Sequence, residues 1–369
     1  MNTSPAPEAA PSAGTPDTTS AAKHETLFTP IPTSWVGPIR ISGNALNDDV
    51  TVPLATYETP LWPSVGRGAR ISRQVEGGIR VTVVGERMTR SSLFTAGTAE
   101  AAHAALQIIE SRMDELQDVV RQGSRFAQLI DIHTEIAGDL LFVRFEFTTG
   151  DASGHNMVTA AADSLMERIL SWGIGLSYGS VSGNYCSDKK ATAVNGIRGR
   201  GRSAVAEILI PHDLVESGLR SSARAITDLV VRKNLVGSTL AGALRSANAH
   251  YANMLLGVYL ATGQDAANIV EGSQGITYAD VRDEGLYFSC TLPHLILGTV
   301  GNGKHLPHVN ENLDRIGCRA DREPGANARR LAAITAATVL CGELSLVAAQ
   351  TNPGELMAAH VKMERANEK

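Results

Sequence analysis

Several common site signatures are missing from this chain of 369 residues. It has only four cysteines, and no two of them show the C-x-x-C spacing of zinc or redox sites. No G-x-G-x-x-G opens a helix after a strand, so a bound nucleotide would not lie on a standard Rossmann turn. The scattered thiols are typical of a reduced cytosolic protein, and no metal site is predicted.

A basic charge excess and long apolar runs are absent as well. The formal net charge of -5 gives no reason to expect nucleic acid or anionic lipid as a partner. No stretch reaches 18 consecutive apolar residues, so we expect no membrane span. The first 22 residues lack Lys, Arg and an apolar run and are rich in Pro, Ala, Ser and Thr. That composition predicts a disordered tail over residues 1–25 and not a signal peptide.

A regular order of elements is present between residues 79 and 181. Apolar spacing predicts strands at 79–86, 125–136, 140–149 and 174–181 and helices at 98–121 and 156–171. This β-α-β-β-α-β order is the ferredoxin-like arrangement.

The flanking segments predict a second, larger domain that this insert interrupts. Residues 240–258 repeat apolar side chains at helical spacing among small neighbours, which favours a buried central helix. Other predicted elements are strands at 204–210, 286–291 and 294–300 and helices at 328–350 and from 354. We therefore predict an α+β fold. The large domain comprises 26–94 and 192–369, the small domain 95–180 (or from about 79 with its first strand), and the connecting loop 181–191.

The loop "SGNYCSDKK" (182–190) carries the most unusual chemistry. Two adjacent ammonium groups repel, so placing Lys189 beside Lys190 suits an anion such as a carboxylate or a developing oxyanion. Asp188 is placed to hold one of the lysines. A solvated turn is the alternative interpretation.

Other polar positions are ambiguous by themselves. In "TTGDASGHNM" (148–157) a helix begins near Asn156, where free N–H groups favour phosphate, unless Asp151 or Asn156 only caps the helix. Asp265 follows the end of a predicted helix, opposes its dipole and favours a nearby cation. Glu58 in "ATYETP" and His360 in "MAAHVKMER" are each typical of surface residues.

Together these segments resemble the 3-hydroxy-3-methylglutaryl-coenzyme A reductase family, class I. The segments that carry the resemblance include "PLATYET", "GDASGHNM", "VSGNYCSDKKATAVN", "RKNLVGS", "NAHYAN", "ATGQDAANIVEG" and "GELSL", in colinear order over roughly residues 36 to 365. The family reduces a thioester to an alcohol in two hydride steps, yielding mevalonate and coenzyme A. The resemblance implies a small cofactor-binding domain inserted in a large domain, and a cis peptide near Cys186–Ser187.

Each catalytic role is carried over from the family. Lys189 would stabilise the oxyanion after the first hydride transfer. His360 would protonate the departing coenzyme A thiolate, and Glu58 would donate a proton to the aldehyde oxygen in the second reduction. Asp265 would link Glu58 and Lys189 in one hydrogen-bond network.

Binding residues are implied in the same way. The hydroxymethylglutaryl group would contact Ser182, Asp188, Lys190, Lys233 and Asn253. NADPH would contact Ser124, Arg125, Asp151, Gly154, His155 and Asn156, with Ser124 and Arg125 at the 2′-phosphate. The resemblance also implies a homodimer or tetramer with active sites between subunits, in the cytoplasm and without a membrane anchor.

The chain departs from the family pattern at three pocket positions. Ser153 and His155 stand where methionines are usual, and Thr95 stands where an arginine usually contacts the substrate. Three hypotheses follow: a biosynthetic hydroxymethylglutaryl-CoA reductase, a paralogue that reduces another acyl-CoA, and a catalytically silent homologue that binds coenzyme A. The presence of Glu58, Lys189, Asp265 and His360 argues against the third.

Overall fold

The computed structural model describes residues 27–364, except for the side chains of residues 359, 360 and 362–364. The predicted disordered tail over residues 1–25 lies outside the described residues. Residues 27–31 carry no regular secondary structure and belong to a separate unit. All elements below belong to the unit that begins at Pro32.

A mixed sheet forms one side of the larger core. Its strands are β1 (Thr33–Gly43), β2 (Asp48–Ala55), β3 (Ile79–Thr95), β7 (Gly201–Pro211), β8 (Ile276–Arg282) and β9 (Gly285–Leu295). They lie in the order β2-β1-β3-β7-β9-β8, and β1 and β3 are parallel while the other neighbours are antiparallel. Alternate residues of β7, such as Ala204, Ala206 and Ile208, are buried, as period-2 patterning requires.

Strand β3 continues into a second, antiparallel sheet. The other strands of that sheet are β4 (Gln128–Ala137), β5 (Leu140–Thr148) and β6 (Ser177–Val181). Residues 80–87 of β3 pair with β7, whereas residues 88–95 pair with β5. The order is β4-β5-β3-β6, with all neighbours antiparallel. This sheet covers a separate apolar cluster, which includes Phe94, Phe145, Phe147 and Leu165.

Helices complete both cores. They are α1 (Leu61–Gln74), α2 (Ala99–Ser111), α3 (Met113–Gly123), α4 (His155–Ser171), α5 (Ala193–Arg198), α6 (His212–Leu219), α7 (Ala223–Leu229), α8 (Ser238–Leu240), α9 (Tyr251–Ala261), α10 (Ile269–Gly272), α11 (Pro307–Arg315), α12 (Ala326–Gln350) and α13 (Glu355–Glu364). A π-helix spans Val230–Gly237, and a short 3-10 helix spans Ala266–Asn268. The predicted helix 98–121 is divided at Arg112 into α2 and α3.

Helix α12 is the long buried helix of the larger core. Its sides are apolar all round, and nearly every residue from Leu331 to Ala349 is buried. Helix α1 crosses it so closely that a Cβ at Gly68 would lie 2.4 Å from the Cα of Cys341. Among the described residues, α12 alone is long and apolar enough to cross a membrane, but almost all of it is buried inside the protein, as in the core helix of a globular domain.

The predicted central helix 240–258 is wrong over its first half, because helix α9 begins only at Tyr251. Ala247 instead pairs with β8: its N–H donates to Gly275 O, and its carbonyl accepts from Thr277 N. Gly242 and Arg245 have positive φ values of 74° and 49°, which a right-handed helix excludes. The predicted strand 294–300 is also wrong, since β9 ends at Leu295 and residues 296–299 follow without strand structure.

Candidate active site

The lysine loop, residues 182–190, runs between β6 and α5 and is fixed to strand β3. The buried Cys186 is its anchor: its N–H donates to Ser91 Oγ (3.1 Å), and its carbonyl accepts from Thr89 Oγ1 (3.2 Å). Lys189 has a left-handed φ of 55°. The cis peptide of this region joins Val181 to Ser182 and not Cys186 to Ser187, where the resemblance implied one.

Lys189 forms an ion pair with Asp265. Its Nζ lies 2.7 Å from Asp265 Oδ2, and the side chains are 42% and 44% exposed. The hydrogen bond to Asp265 raises the pKa of Lys189. Partial burial of Asp265 acts to raise its pKa, but the hydrogen bonds from Lys189 and from Ala267 N outweigh this and lower it. Both groups are thus held in their charged forms at a surface that a ligand can reach.

A buried arginine, Arg200, supports the lysine loop from the protein interior, and no sequence motif pointed to it. The fully buried Arg200 lies 2.8 Å from Glu271 Oε1 and 3.0 Å from Asp188 Oδ1. Glu271 Oε1 in turn accepts the Lys189 N–H at 3.0 Å. Burial raises the pKa of Glu271, which Arg200 opposes. Arg200 therefore positions both the side chain of Asp188 and the backbone of Lys189.

Asp188 does not pair with either lysine through its carboxylate, contrary to the sequence-based expectation. Its carboxylate lies near Arg200, His155 (3.7 Å) and Arg90 (4.0 Å), while Lys190 Nζ donates to the Asp188 carbonyl at 3.0 Å. The reason is that the buried Arg200 guanidinium lies 3.0 Å from the carboxylate, a contact that residue spacing near Asp188 does not reveal. Lys190 remains exposed.

Ser182 lies inside the same loop. Its Oγ is 3.1 Å from Cys186 Sγ and accepts the Asn184 N–H at 3.2 Å. Burial acts to raise the pKa of Cys186, but the hydrogen bonds from Ser182 and Ser91 lower it overall.

Glu58 occupies a different cluster. It is exposed in the turn between β2 and α1, and its Oε2 accepts from Asn253 Nδ2 at 2.9 Å. In the part of the chain that the structure describes, no hydrogen bond or ion pair joins Glu58 to Asp265 or Lys189. The network in which Asp265 links Glu58 to Lys189 is therefore not present within this single chain.

Lys233 lies on the π-helix Val230–Gly237. The Nζ of Lys233 donates to Asn234 Oδ1 at 3.4 Å. Burial lowers the pKa of Lys233, and the charge of Glu343 opposes that fall. π-helical segments are frequently found at functional sites.

The 149–154 loop precedes helix α4 and carries the predicted phosphate-binding residues. Gly154 has a φ of 94°, and a Cβ there would lie 2.5 Å from Thr149 Cγ2. No side chain caps α4, and the exposed Asn156 is its second residue. Asp151 also supports the fold, because its Oδ1 accepts from Ala328 N (2.9 Å) at the start of α12.

Ser124 and Arg125 adjoin this loop. Ser124 Oγ accepts the N–H groups of Phe126 and Ala127 at 3.2 and 3.0 Å. The Phe126 side chain lies 3.8 Å from where a Cβ of Gly150 would be. Arg125 is exposed, with its Cζ 5.5 Å from the centre of the Phe126 ring.

His155 points from α4 toward the lysine loop. Its Nε2 lies 3.7 Å from Asp188 Oδ1 and 3.2 Å from Asn268 Nδ2. Burial and the charge of Arg200 lower the pKa of His155 to about 4, so the ring is neutral near pH 7. His155 therefore joins the 149–154 loop to the lysine loop.

His360 lies on helix α13, and its side chain is outside the described part of the chain. The start of α13 is anchored by Arg67 NH1, 2.9 Å from Glu355 Oε1. Gly354, with a φ of 80°, precedes it.

Comparison with known proteins agrees with this architecture. The family model for hydroxymethylglutaryl-coenzyme A reductase matches residues 26–365. The chain is 41% identical over 337 residues to the 3-hydroxy-3-methylglutaryl-coenzyme A reductase of Aeropyrum pernix, covering 91% of this chain and 79% of the relative. It is 42% identical over 322 residues to that of Pyrococcus abyssi, covering 86% and 78%.

A solved structure shows the same fold. The class II 3-hydroxy-3-methylglutaryl-CoA reductase of Streptococcus pneumoniae, bound to NADPH, superposes with a TM-score of 0.70 at 21% identity, covering 90% of this chain and 88% of that one. The mixed α+β fold is thus shared. From the family match and the identities to the archaeal relatives, the chain belongs to the hydroxymethylglutaryl-coenzyme A reductase family.

Proposed function

We propose that the protein reduces 3-hydroxy-3-methylglutaryl-CoA to mevalonate and coenzyme A with two molecules of NADPH, a step of isoprenoid precursor synthesis. Family membership supports the reaction. The observation that carries it is the half-exposed Lys189–Asp265 ion pair at 2.7 Å on a loop that buried charges hold in place. A fixed ammonium at an accessible surface is what an oxyanion formed from a thioester carbonyl requires.

Each reacting group has a distinct task in this proposal. Lys189 stabilises the oxygen that becomes negative when the thioester is reduced, and Asp265 keeps the ammonium charged and oriented. His360 protonates the coenzyme A thiolate as it leaves. Glu58, held by Asn253, supplies the proton for the aldehyde oxygen in the second reduction.

The substrate's acyl group binds beside these residues. The proposed contacts are Ser182, Asp188, Lys190, Lys233 and Asn253. Lys190 is exposed next to Lys189, and Lys233 is half-buried, so both can offer an ammonium to the substrate carboxylate.

We assign NADPH to the second sheet and helix α4, which we propose form an inserted ferredoxin-like domain over residues 95–180, joined to the large domain by the 181–191 loop. NADPH supplies the hydride. The uncapped N-terminus of α4 offers free N–H groups to a phosphate, and Gly154 lets the backbone pass close to Thr149 just before the helix begins. In this proposal Ser124 and the exposed Arg125 hold the 2′-phosphate, and Asp151, His155 and Asn156 complete the cofactor site.

A homodimer, or a tetramer built from it, is part of the proposal. The Glu58–Asn253 contact and the Lys189–Asp265 pair share no hydrogen bond within the described chain, so a second subunit that brings one pair to the other would complete the site. We also propose class I membership and a cytoplasmic location. The identities of 41% and 42% to the archaeal relatives support the first.

The test is oxidation of NADPH by the purified full-length protein with a panel of acyl-CoA thioesters. We expect turnover with hydroxymethylglutaryl-CoA and mevalonate as the product, with acetyl-CoA, succinyl-CoA and glutaryl-CoA reacting poorly. Preference for another thioester would make the protein a paralogue of different specificity, an outcome for which Thr95 gives a reason. No turnover with any thioester would overturn the proposal.

A further inference from the structure

Glu343 is a fully buried carboxylate in the apolar middle of helix α12. It lies in the "GELSL" segment, to which the sequence comparison assigns no task. Burying a carboxylate is costly unless several donors surround it. Here Oε1 accepts from Ala249 N (2.6 Å), Thr277 Oγ1 (2.8 Å) and Asn234 Nδ2 (3.3 Å), and Oε2 accepts from His250 N (3.1 Å).

One of these donors belongs to the π-helix that carries Lys233. The amide of Asn234 donates to Glu343, and its carbonyl oxygen accepts from Lys233 Nζ at 3.4 Å. Burial lowers the pKa of Lys233, and the charge of Glu343 acts in the opposite direction. Glu343 thus helps to position Lys233, through Asn234, and also favours its charged form.

Two other donors, Ala249 N and His250 N, lie just before helix α9, whose first N–H, that of Tyr251, is accepted by Asn248 Oδ1 at 3.2 Å. The Glu343 carboxylate fixes these two residues at the entry to the helix, where the helix dipole also favours a negative charge. The His250 ring continues the connection: its Nε2 is 3.0 Å from Gly342 O, and its Nδ1 is 3.4 Å from Asn253 Nδ2. Asn253 is the side chain that holds Glu58.

We propose that Glu343 is a positioning residue for the reaction, because one buried carboxylate sets the position of Lys233 on the π-helix and of Asn253, which holds Glu58, on helix α9. The inference rests on the proposed function, which assigns these three residues to the substrate and the proton donor. Glu343 itself is too deeply buried to touch the substrate. It acts only through the two segments that it joins.

The first test compares Glu343→Gln with Thr338→Val. Glutamine keeps the shape but loses the charge, and it turns an amide donor toward one of the backbone N–H groups. Thr338 is a matched control, because its buried hydroxyl lies on the same helix and, within the described part of the chain, bonds only to Ile334 O. We expect Glu343→Gln to raise KM for hydroxymethylglutaryl-CoA and to lower kcat, each by about tenfold, as for loss of a hydrogen bond to a charged group. KM for NADPH should stay within about twofold, as should all constants of Thr338→Val.

A second variant separates the two connections. Asn234→Ala keeps the carboxylate and its bonds to Ala249 and His250 but removes the link to the π-helix. It should raise KM for the substrate and leave kcat within about twofold. If Asn234→Ala matches the wild type, or if Glu343→Gln weakens NADPH and substrate equally, the carboxylate only supports the core and the inference is wrong.

A third measurement needs no activity, so it stands even if the proposed function fails. Competitive chemical labelling of lysines against pH, resolved by mass spectrometry, gives the titration midpoint of Lys233 in each folded variant. Without the Glu343 charge that midpoint should move to lower pH, whereas Thr338→Val should leave it in place. An unchanged midpoint in Glu343→Gln would overturn the electrostatic part. Wild-type inactivity on all thioesters would instead count against the proposed function alone.

Discussion

Replacing Lys189 by alanine should separate catalysis from stability. The ammonium is 42% exposed and its partner Asp265 44% exposed, so solvent screens their ion pair. Such exposed pairs contribute at most about 1 kcal/mol to the free energy of unfolding. Loss of one oxyanion donor costs far more in the transition state, on the order of 10²-fold or more in kcat. Since alanine keeps the Cβ, the left-handed backbone at this position sees no new side-chain conflict.

The matched control is Lys190→Ala, which removes the neighbouring ammonium from the same loop. Among the described residues, Lys190 Nζ bonds only to the Asp188 carbonyl, so we expect a higher KM for the substrate and a kcat within a few-fold of wild type. The assay is steady-state NADPH oxidation with hydroxymethylglutaryl-CoA, together with urea unfolding of both variants. Similar kinetic losses in the two variants would refute the division of labour. A large loss of stability in Lys189→Ala would refute the assignment of its effect to the transition state.

Three further variants test the other assignments. Arg125→Ala should lower kcat/KM for NADPH by about tenfold or more and change NADH little, because only NADPH carries the 2′-phosphate; equal losses would exclude Arg125 from that contact. His360→Gln should lose most activity on hydroxymethylglutaryl-CoA but little on free mevaldehyde, which releases no thiolate, whereas Glu58→Gln should lose both; the histidine has another role if it loses both as well. His155 has a pKa of about 4 when folded and 6.5 ordinarily, so the unfolded chain binds more protons between these values. Stability should fall as pH drops through that window, by up to about 3 kcal/mol, and His155→Gln should lack this part of the fall in urea titrations at pH 4.5 and 7. An equal loss of stability between pH 7 and 4.5 in the wild type and in His155→Gln would contradict this prediction.

Local pattern was sufficient to predict much of the fold. The strands at 140–149 and 204–210 and the helix at 156–171 were predicted close to their observed bounds, because each buries one periodic face. Helix α12 was predicted because its apolar residues continue over many turns without an internal proline, between a Pro-Gly pair just before it and another just after it. The same periodicity misplaced the start of α9, since the pairing of Ala247 with β8 depends on a distant strand.

The sequence by itself determined the family, the order of the elements between residues 79 and 181, and which loop holds the paired lysines, because each of these depends on contiguous residues. Only the tertiary structure decided which charges meet. Arg200 reaches Glu271 from 71 positions away, and Asp151 caps α12 from 177 positions away. Burial makes such pairings strong, since a charge removed from water must find a partner wherever the fold supplies one. Because that partner is chosen by packing and not by spacing along the chain, no periodic signal in the sequence could have shown it.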